Sequence, residues 1–123
     1  MIIQQDTSSA LYQIQRYESG KIWINGQIFE TSVIIRPQSL LVPWEPKNLN
    51  ELNLTHFKSI FDDPPEILLL GTGQQMLIPP RELINAFIAK NIGIEFMDSK
   101  AACFTYMALA CEDRSVAACI LIE

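Results

Sequence analysis

The chain has 123 residues, the size of one domain at roughly 100–200 residues each, so a single domain over residues 1–123 is expected. Hydrophobic residues make up 49%, which excludes a disordered chain. The net charge is −5, and the basic residues (Arg16, Lys21, Arg36, Lys47, Lys58, Arg81, Lys90, Lys100, Arg114) are scattered, which argues against nucleic acid and anionic membrane as main partners.

Met1-Ile2-Ile3-Gln4-Gln5-Asp6 has neither the basic start nor the long apolar run of a targeting segment. Leu11 to Tyr17 alternates apolar and polar residues and predicts a half-buried strand. Glu18 to Lys21 reads as a turn. Ile22-Trp23-Ile24 and Gln27-Ile28-Phe29 flank Asn25-Gly26, a strong hairpin signal because both turn residues tolerate positive φ. Thr31 to Ile35 is β-branched and continues the strands. Pro37, Pro43 and Pro46 then predict an irregular stretch that carries Trp44. Thr55 is the expected cap of a short helix over His56 to Phe61, ended by Asp62-Asp63-Pro64-Pro65.

The second half alternates β and α. Ile67 to Leu70 is a continuous apolar run, as in a strand covered on both faces. Pro80 suits the first turn of a helix over Arg81 to Asn91, with Leu83, Ile84, Phe87 and Ile88 on one face and Gly93 as the stop. Ile94 to Met97 is the next strand. Asp98 or Ser99 caps a helix reaching Cys111 that is apolar almost all round, hence buried on more than one side. After the turn Glu112-Asp113-Arg114, Val116 to Ile122 is the last strand. The fold class is therefore α/β: a three-layer arrangement with a mostly parallel central sheet from the β-α-β-α-β second half, packed with a β-hairpin-rich first half.

This order places the turn Gly71-Thr72-Gly73 and the helix start Asp98-Ser99 at one carboxyl edge of the sheet, where open α/β sheets bind ligands. With Thr105 and Tyr106, the hydroxyls of the last helix, they form the candidate ligand site. The glycines do not make a dinucleotide fingerprint, since Met76 stands at the third glycine position. His56 is the single histidine, and no spacing gathers metal ligands. The carboxylates Asp62, Asp63, Glu66, Glu112 and Asp113 lie in turns and read as solvated. No metal and no cofactor are expected. Trp44 either plugs the core or anchors a partner, and Phe104 on the last helix is the second interaction candidate.

Three blocks carry a family resemblance. Asp63-Pro64-Pro65-Glu66-Ile67-Leu68-Leu69-Leu70-Gly71-Thr72-Gly73 resembles a D-P-x-I-x-L-x-G-T-G pattern, Gly93 to Tyr106 resembles G-[IV]-E-x-M-x-T-x-x-A-x-R-T-Y-N, and Glu112 to Ala118 resembles E-G-R-x-V-x-A. Together they resemble a widespread family of small proteins of unknown function that includes the mitochondrial NADH dehydrogenase (complex I) assembly factor 3 and bacterial and archaeal members. The resemblance implies a three-layer α/β fold and no established chemistry. Phe104, Met107 and Asp113 stand where that pattern has arginine, asparagine and glycine, which favours an apolar patch over a polar pocket.

The function expected from this reading is a non-enzymatic protein-interaction domain, assembly-factor-like by resemblance, with a protein partner or a second copy of itself. Charged residues are 19%, below the roughly 25% usual for soluble domains, which fits some surface hidden against another chain. The alternative is a small-molecule-binding protein or enzyme using the sheet-edge site. No run approaches the ~18 apolar residues of a membrane helix, so no membrane insertion is expected. Cys103, Cys111 and Cys119 fit a reducing cytoplasm, the expected location. Titration of the unfolded, non-reduced protein should therefore give three free thiols, and a lower count would contradict that reading.

Overall fold

The computed structural model describes residues 10–123, and Met1–Asp6 lies outside them. Two sheets and three α-helices make up a mixed α/β fold. A three-stranded antiparallel sheet is built from β1 (Ile14–Glu18), β2 (Lys21–Ile24) and β3 (Gln27–Phe29). Asn25 and Gly26 join β2 to β3 with φ of 49° and 82°, the double left-handed turn that the Asn-Gly pair predicted. The first strand starts later than its alternation suggested. The Leu11 and Tyr12 amides donate to the Pro37 carbonyl, and the Gln13 amide donates to Asn25 Oδ1, so these residues are tied elsewhere before pairing with β2 begins.

The five-stranded sheet has the order β5-β4-β8-β6-β7, from β4 (Val33–Arg36), β5 (Ser39–Leu41), β6 (Ile67–Gly71), β7 (Gly93–Met97) and β8 (Val116–Ile120). Here the expectation of a mostly parallel sheet is corrected. β6 runs parallel to both β7 and β8, but β4 is antiparallel to β8 and to β5. The sheet is mixed because the first half contributes two strands to it. One of them, β5, falls in the proline-rich stretch read as irregular. Pro37 occupies the hairpin turn between Arg36 and Ser39, which pair with each other, so its missing N–H leaves the ladder intact.

Both faces of this sheet are covered. On one lie α1 (Lys58–Asp62) and α2 (Arg81–Ala89). Their core joins Phe57, Ile60, Leu83 and Phe87 to Leu68, Leu70, Cys119 and Leu121. Phe87 meets Phe57 edge-on at 5.0 Å and stacks on Phe61 at 5.1 Å. On the other face α3 (Ser99–Cys111) packs against β6 and β8, with β1 on its far side. One core therefore runs from Leu69, Ala118 and Ile120 through Ala102, Cys103 and Tyr106 to Ile14, Ile22 and Ile24. Lying between two sheets is why α3 is apolar almost all round.

Three local expectations need correction. Asn53, not Thr55, caps the helical turn Leu54–Phe57 that leads into α1. Its Oδ1 accepts the Thr55 amide at 3.0 Å, and His56 Nδ1 accepts the Asn53 amide at 3.2 Å. In α2, Ile88 is 60% exposed while Leu83 and Phe87 are buried, so the apolar face is narrower than read. Gly93 does not stop α2. Asn91 turns the chain with φ of 59°, and Gly93 is already the first residue of β7.

Burial raises the pKa of three groups, two on α3 and one on β8. The Cys103 thiol is pushed up to about 12, by burial first and the nearby Asp98 carboxylate second. Burial also raises Tyr106 and Cys119 well above their ordinary values. Unfolding restores ordinary thiol and phenol values of about 8.5 and 10, so above that range the unfolded state binds fewer protons than the folded one. Stability should be fully present below about pH 8.5 and fall as the pH rises toward about 12. Melting temperatures taken from pH 7 upward would check this, and Cys119→Ala should flatten the alkaline decline.

Candidate functional site

The carboxyl edge assembles around a glycine that has no room for a side chain. A Cβ on Gly71 would lie 2.9 Å from both the Cα and the Oγ of Ser99 and 3.1 Å from the Cβ of Ala102. The end of β6 thus touches the first turn of α3 directly. Ser99 is fully buried. Its hydroxyl donates to the Leu121 carbonyl at 2.7 Å and accepts the Gly73 amide at 3.0 Å. Its own amide donates to the Gly73 carbonyl at 2.8 Å, and the Leu121 amide donates to the Gly71 carbonyl at 3.0 Å. One hydroxyl therefore ties together the ends of three segments. Gly73 has φ of +112°, which L side chains rarely adopt.

Thr72 closes the crevice between β6 and β7. Its amide donates to the Met97 carbonyl at 2.8 Å. Its Oγ1 lies 2.6 Å from the Gln75 carbonyl and 3.1 Å from that of Met97, and it accepts the Leu77 amide at 3.0 Å. Asp98 caps α3, with Oδ1 accepting the Ala101 amide at 2.8 Å. The structure brings Gly71, Thr72, Gly73, Asp98 and Ser99 together. Their polar groups are engaged within the chain, Gly73 with Ser99 and the others with Gln75, Leu77, Met97, Ala101 and Leu121.

Thr105 and Tyr106 are not part of that cluster. The Thr105 hydroxyl lies 3.5 Å from Met97 Sδ. Tyr106 is buried on the face of α3 turned to the small sheet, and its hydroxyl donates to the Tyr12 carbonyl at 3.0 Å. Trp44 plugs the core. It is 4% exposed, meets Phe57 edge-on at 5.4 Å, and its Nε1 donates to the His56 carbonyl at 2.9 Å. Of the two readings left open for Trp44, the plug is the one that matches its burial, and it does not serve as an exposed interaction anchor. A ring pinned at its nitrogen and its face has no surface left for a partner. Phe104 is 53% exposed.

Two features of this region were not singled out from the sequence. The loop leaving β6 exposes Met76, Leu77 and Ile78, the last at 73%. The signal was present as an apolar triplet between Gln75 and Pro79. Beside Asp98 lies a cleft of about 420 Å³ lined by Tyr17, Glu18, Ser19, Gln74, Asp98 and Lys100. Gln74 Nε2 donates to the Ser19 hydroxyl across it at 2.8 Å. The Tyr17 phenol is raised above its ordinary value, first by burial and then by the neighbouring Cys103. Among the described residues no group of three or more His, Cys, Asp or Glu is placed to hold a metal ion. No helix among them is long and apolar enough to cross a membrane.

Residues 14–121 match the family described as protein of unknown function (DUF498/DUF598), and the chain belongs to it. The resemblance drawn from the three sequence blocks is borne out. Over 123 residues the chain is 31% identical to the "13 kDa major membrane protein" of Francisella tularensis subsp. holarctica (strain LVS), covering 99% of each. Over 122 residues it is 25% identical to human NADH dehydrogenase (ubiquinone) 1 alpha subcomplex assembly factor 3, covering 98% of this chain and 65% of that protein. The crystal structure of a Bordetella parapertussis protein superposes with a TM-score of 0.85 at 27% identity, covering 93% of this chain and 98% of that one.

The Gly71–Ser99 contact makes a sharp prediction. Gly71→Ala must push α3 off β6 and should cost about 2 kcal/mol or more, as overpacking of a filled site does. Gly73→Ala meets open space but strains the backbone at φ +112° and should cost at least about 1 kcal/mol. Denaturant melts of both variants check the order, and an unchanged Gly71→Ala midpoint would remove the contact as a constraint.

Proposed function

We propose that this chain is a non-enzymatic protein-interaction domain that acts as an assembly-factor-like partner to other proteins, in the cytoplasm. The observation that carries the reading is the division of labour at the carboxyl edge. The amides of Thr72 and Gly73 and the hydroxyls of Thr72 and Ser99 are engaged inside the chain. Meanwhile Met76, Leu77 and Ile78 in the adjoining loop, and Phe104 on α3, face solvent. A ligand at the edge would have to break internal bonds to gain new ones, at about 1 kcal/mol each. A protein surface need only cover apolar side chains, which gains roughly 25 cal/mol per Å². The family relation to proteins named as assembly factors of NADH dehydrogenase supports the same reading.

Sedimentation velocity and amide-resolved titration test it together. The chain should associate with itself or form a complex of fixed stoichiometry with a protein of its own cell, and Phe104→Asp or Ile78→Asp should weaken that association at least about tenfold, the loss of one well-buried anchor. ATP and NADH should leave the amides of Thr72, Gly73 and Asp98 unshifted up to about 1 mM, less than roughly 4 kcal/mol of affinity. A strict monomer that binds either nucleotide at those amides with micromolar affinity would overturn the reading in favour of a small-molecule site.

A further inference from the structure

The opposite edge of the central sheet, where β4 ends and β6 and β8 begin, carries a second cleft of about 400 Å³. Its charged lining consists of Arg36, Arg114, Asp63 and Asp113, with the hydroxyls of Ser39 and Ser115 beside them. Arg36 is the last residue of β4, and its side chain is only 17% exposed. Its Nη1 donates to the backbone carbonyl of Asp63 at 2.8 Å, which fixes the guanidinium. The Asp63 carboxylate, by contrast, is 87% exposed and stays 3.9 Å from Nη2, too far for a hydrogen bond. The guanidinium has thus given up most of its water without gaining a close anion, an arrangement that is costly unless an anion is supplied.

Arg114 also lines the cleft. Its backbone amide is anchored to the Leu109 carbonyl at 3.2 Å. Its Nη1 is 4.0 Å from Glu112 Oε1, again beyond hydrogen-bond range. Asp113 is exposed on the rim, in a left-handed turn with φ of 58°. Each guanidinium thus stands 3.9–4.0 Å from a carboxylate that is itself largely exposed, Asp63 for Arg36 and Glu112 for Arg114.

We propose that this cleft binds a small oxyanion, a phosphate or carboxylate group, between the guanidiniums of Arg36 and Arg114. The planar donor fork of arginine suits such groups, and the serine hydroxyls add neutral donors. The Asp63 carboxylate is the internal competitor. Already largely in solvent, it offsets the Arg36 charge from 3.9 Å and yields that role when an oxyanion enters.

Amide and arginine side-chain resonances followed during titration with inorganic phosphate, and separately with acetate, at constant ionic strength test this. Saturable shifts at Arg36, Ser39, Arg114 and Ser115 are expected. Response to phosphate alone assigns the site to a dianion, and response to both assigns it to carboxylates as well. Arg36→Gln disturbs a half-buried group, so Arg114→Gln, at an exposed position, is the cleaner variant. It should weaken binding about tenfold, the loss of one charge-assisted contact. Asp63→Asn should tighten binding several-fold by removing the competitor. Failure of both anions to shift these resonances beyond the effect of chloride would overturn the proposal. So would Asp63→Asn weakening binding, or Arg114→Gln leaving it unchanged.

Discussion

The close approach of Gly71 to Ser99 governs how the rest of the molecule is arranged. With no side chain at position 71, the first turn of α3 rests directly on the end of β6. The buried Ser99 hydroxyl then holds that turn to Gly73 on one side and to Leu121 on the other. A hydroxyl placed where it meets one donor and one acceptor satisfies all three buried groups at once. The position of α3 fixes what lies beyond it. Cys103, Tyr106 and Ala110 make the face against which Ile14, Ile22 and Ile24 pack. The Tyr106 hydroxyl reaches the Tyr12 carbonyl, just ahead of the first strand. The small sheet is thus held in place through α3.

The same contact shapes what the carboxyl edge can do. The loops leaving β6 and β7 lead to helices on opposite faces of the sheet, the topology that opens a ligand crevice in many α/β folds. Here Thr72 bonds to Met97, and Gly73 to Ser99 through both backbone and side chain. The crevice is filled by the chain itself. Donors that would cradle a phosphate elsewhere serve as internal fastening, and the loop beside them exposes Met76, Leu77 and Ile78 next to the polar cleft at Asp98.

Local signals were legible in the sequence. The Asn25-Gly26 hairpin, the Asp98 cap and the β-α-β-α-β order all follow from residue types whose preferences act over a few positions. The mixed character of the sheet was not legible, because it depends on β4 meeting β8, and antiparallel pairing across that distance leaves no mark in either strand. Trp44 was balanced between core and surface until the carbonyl of His56 supplied a partner for its ring nitrogen. At the candidate site Gly71, Thr72, Gly73, Asp98 and Ser99 meet while Thr105 and Tyr106 do not, and the direction of the hydrogen bonds was not visible in the sequence. Arg36 and Arg114 looked like two scattered charges. The β4–β8 ladder, with Ile35 opposite Ala118, brings them to one edge.

The central seat of β8 has a consequence for synthesis on the ribosome. β8 stands between β4 and β6 and is buried along its whole length, yet it is the last strand in chain order. Until Val116 to Ile120 has left the exit tunnel, β4 and β6 have no shared neighbour, and the apolar faces of both lie open. The first-half strands and β6 are thus joined in a long-range step of the sort that slows folding. Assembly of the central sheet therefore waits on β8, however early the hairpin β2–β3 closes.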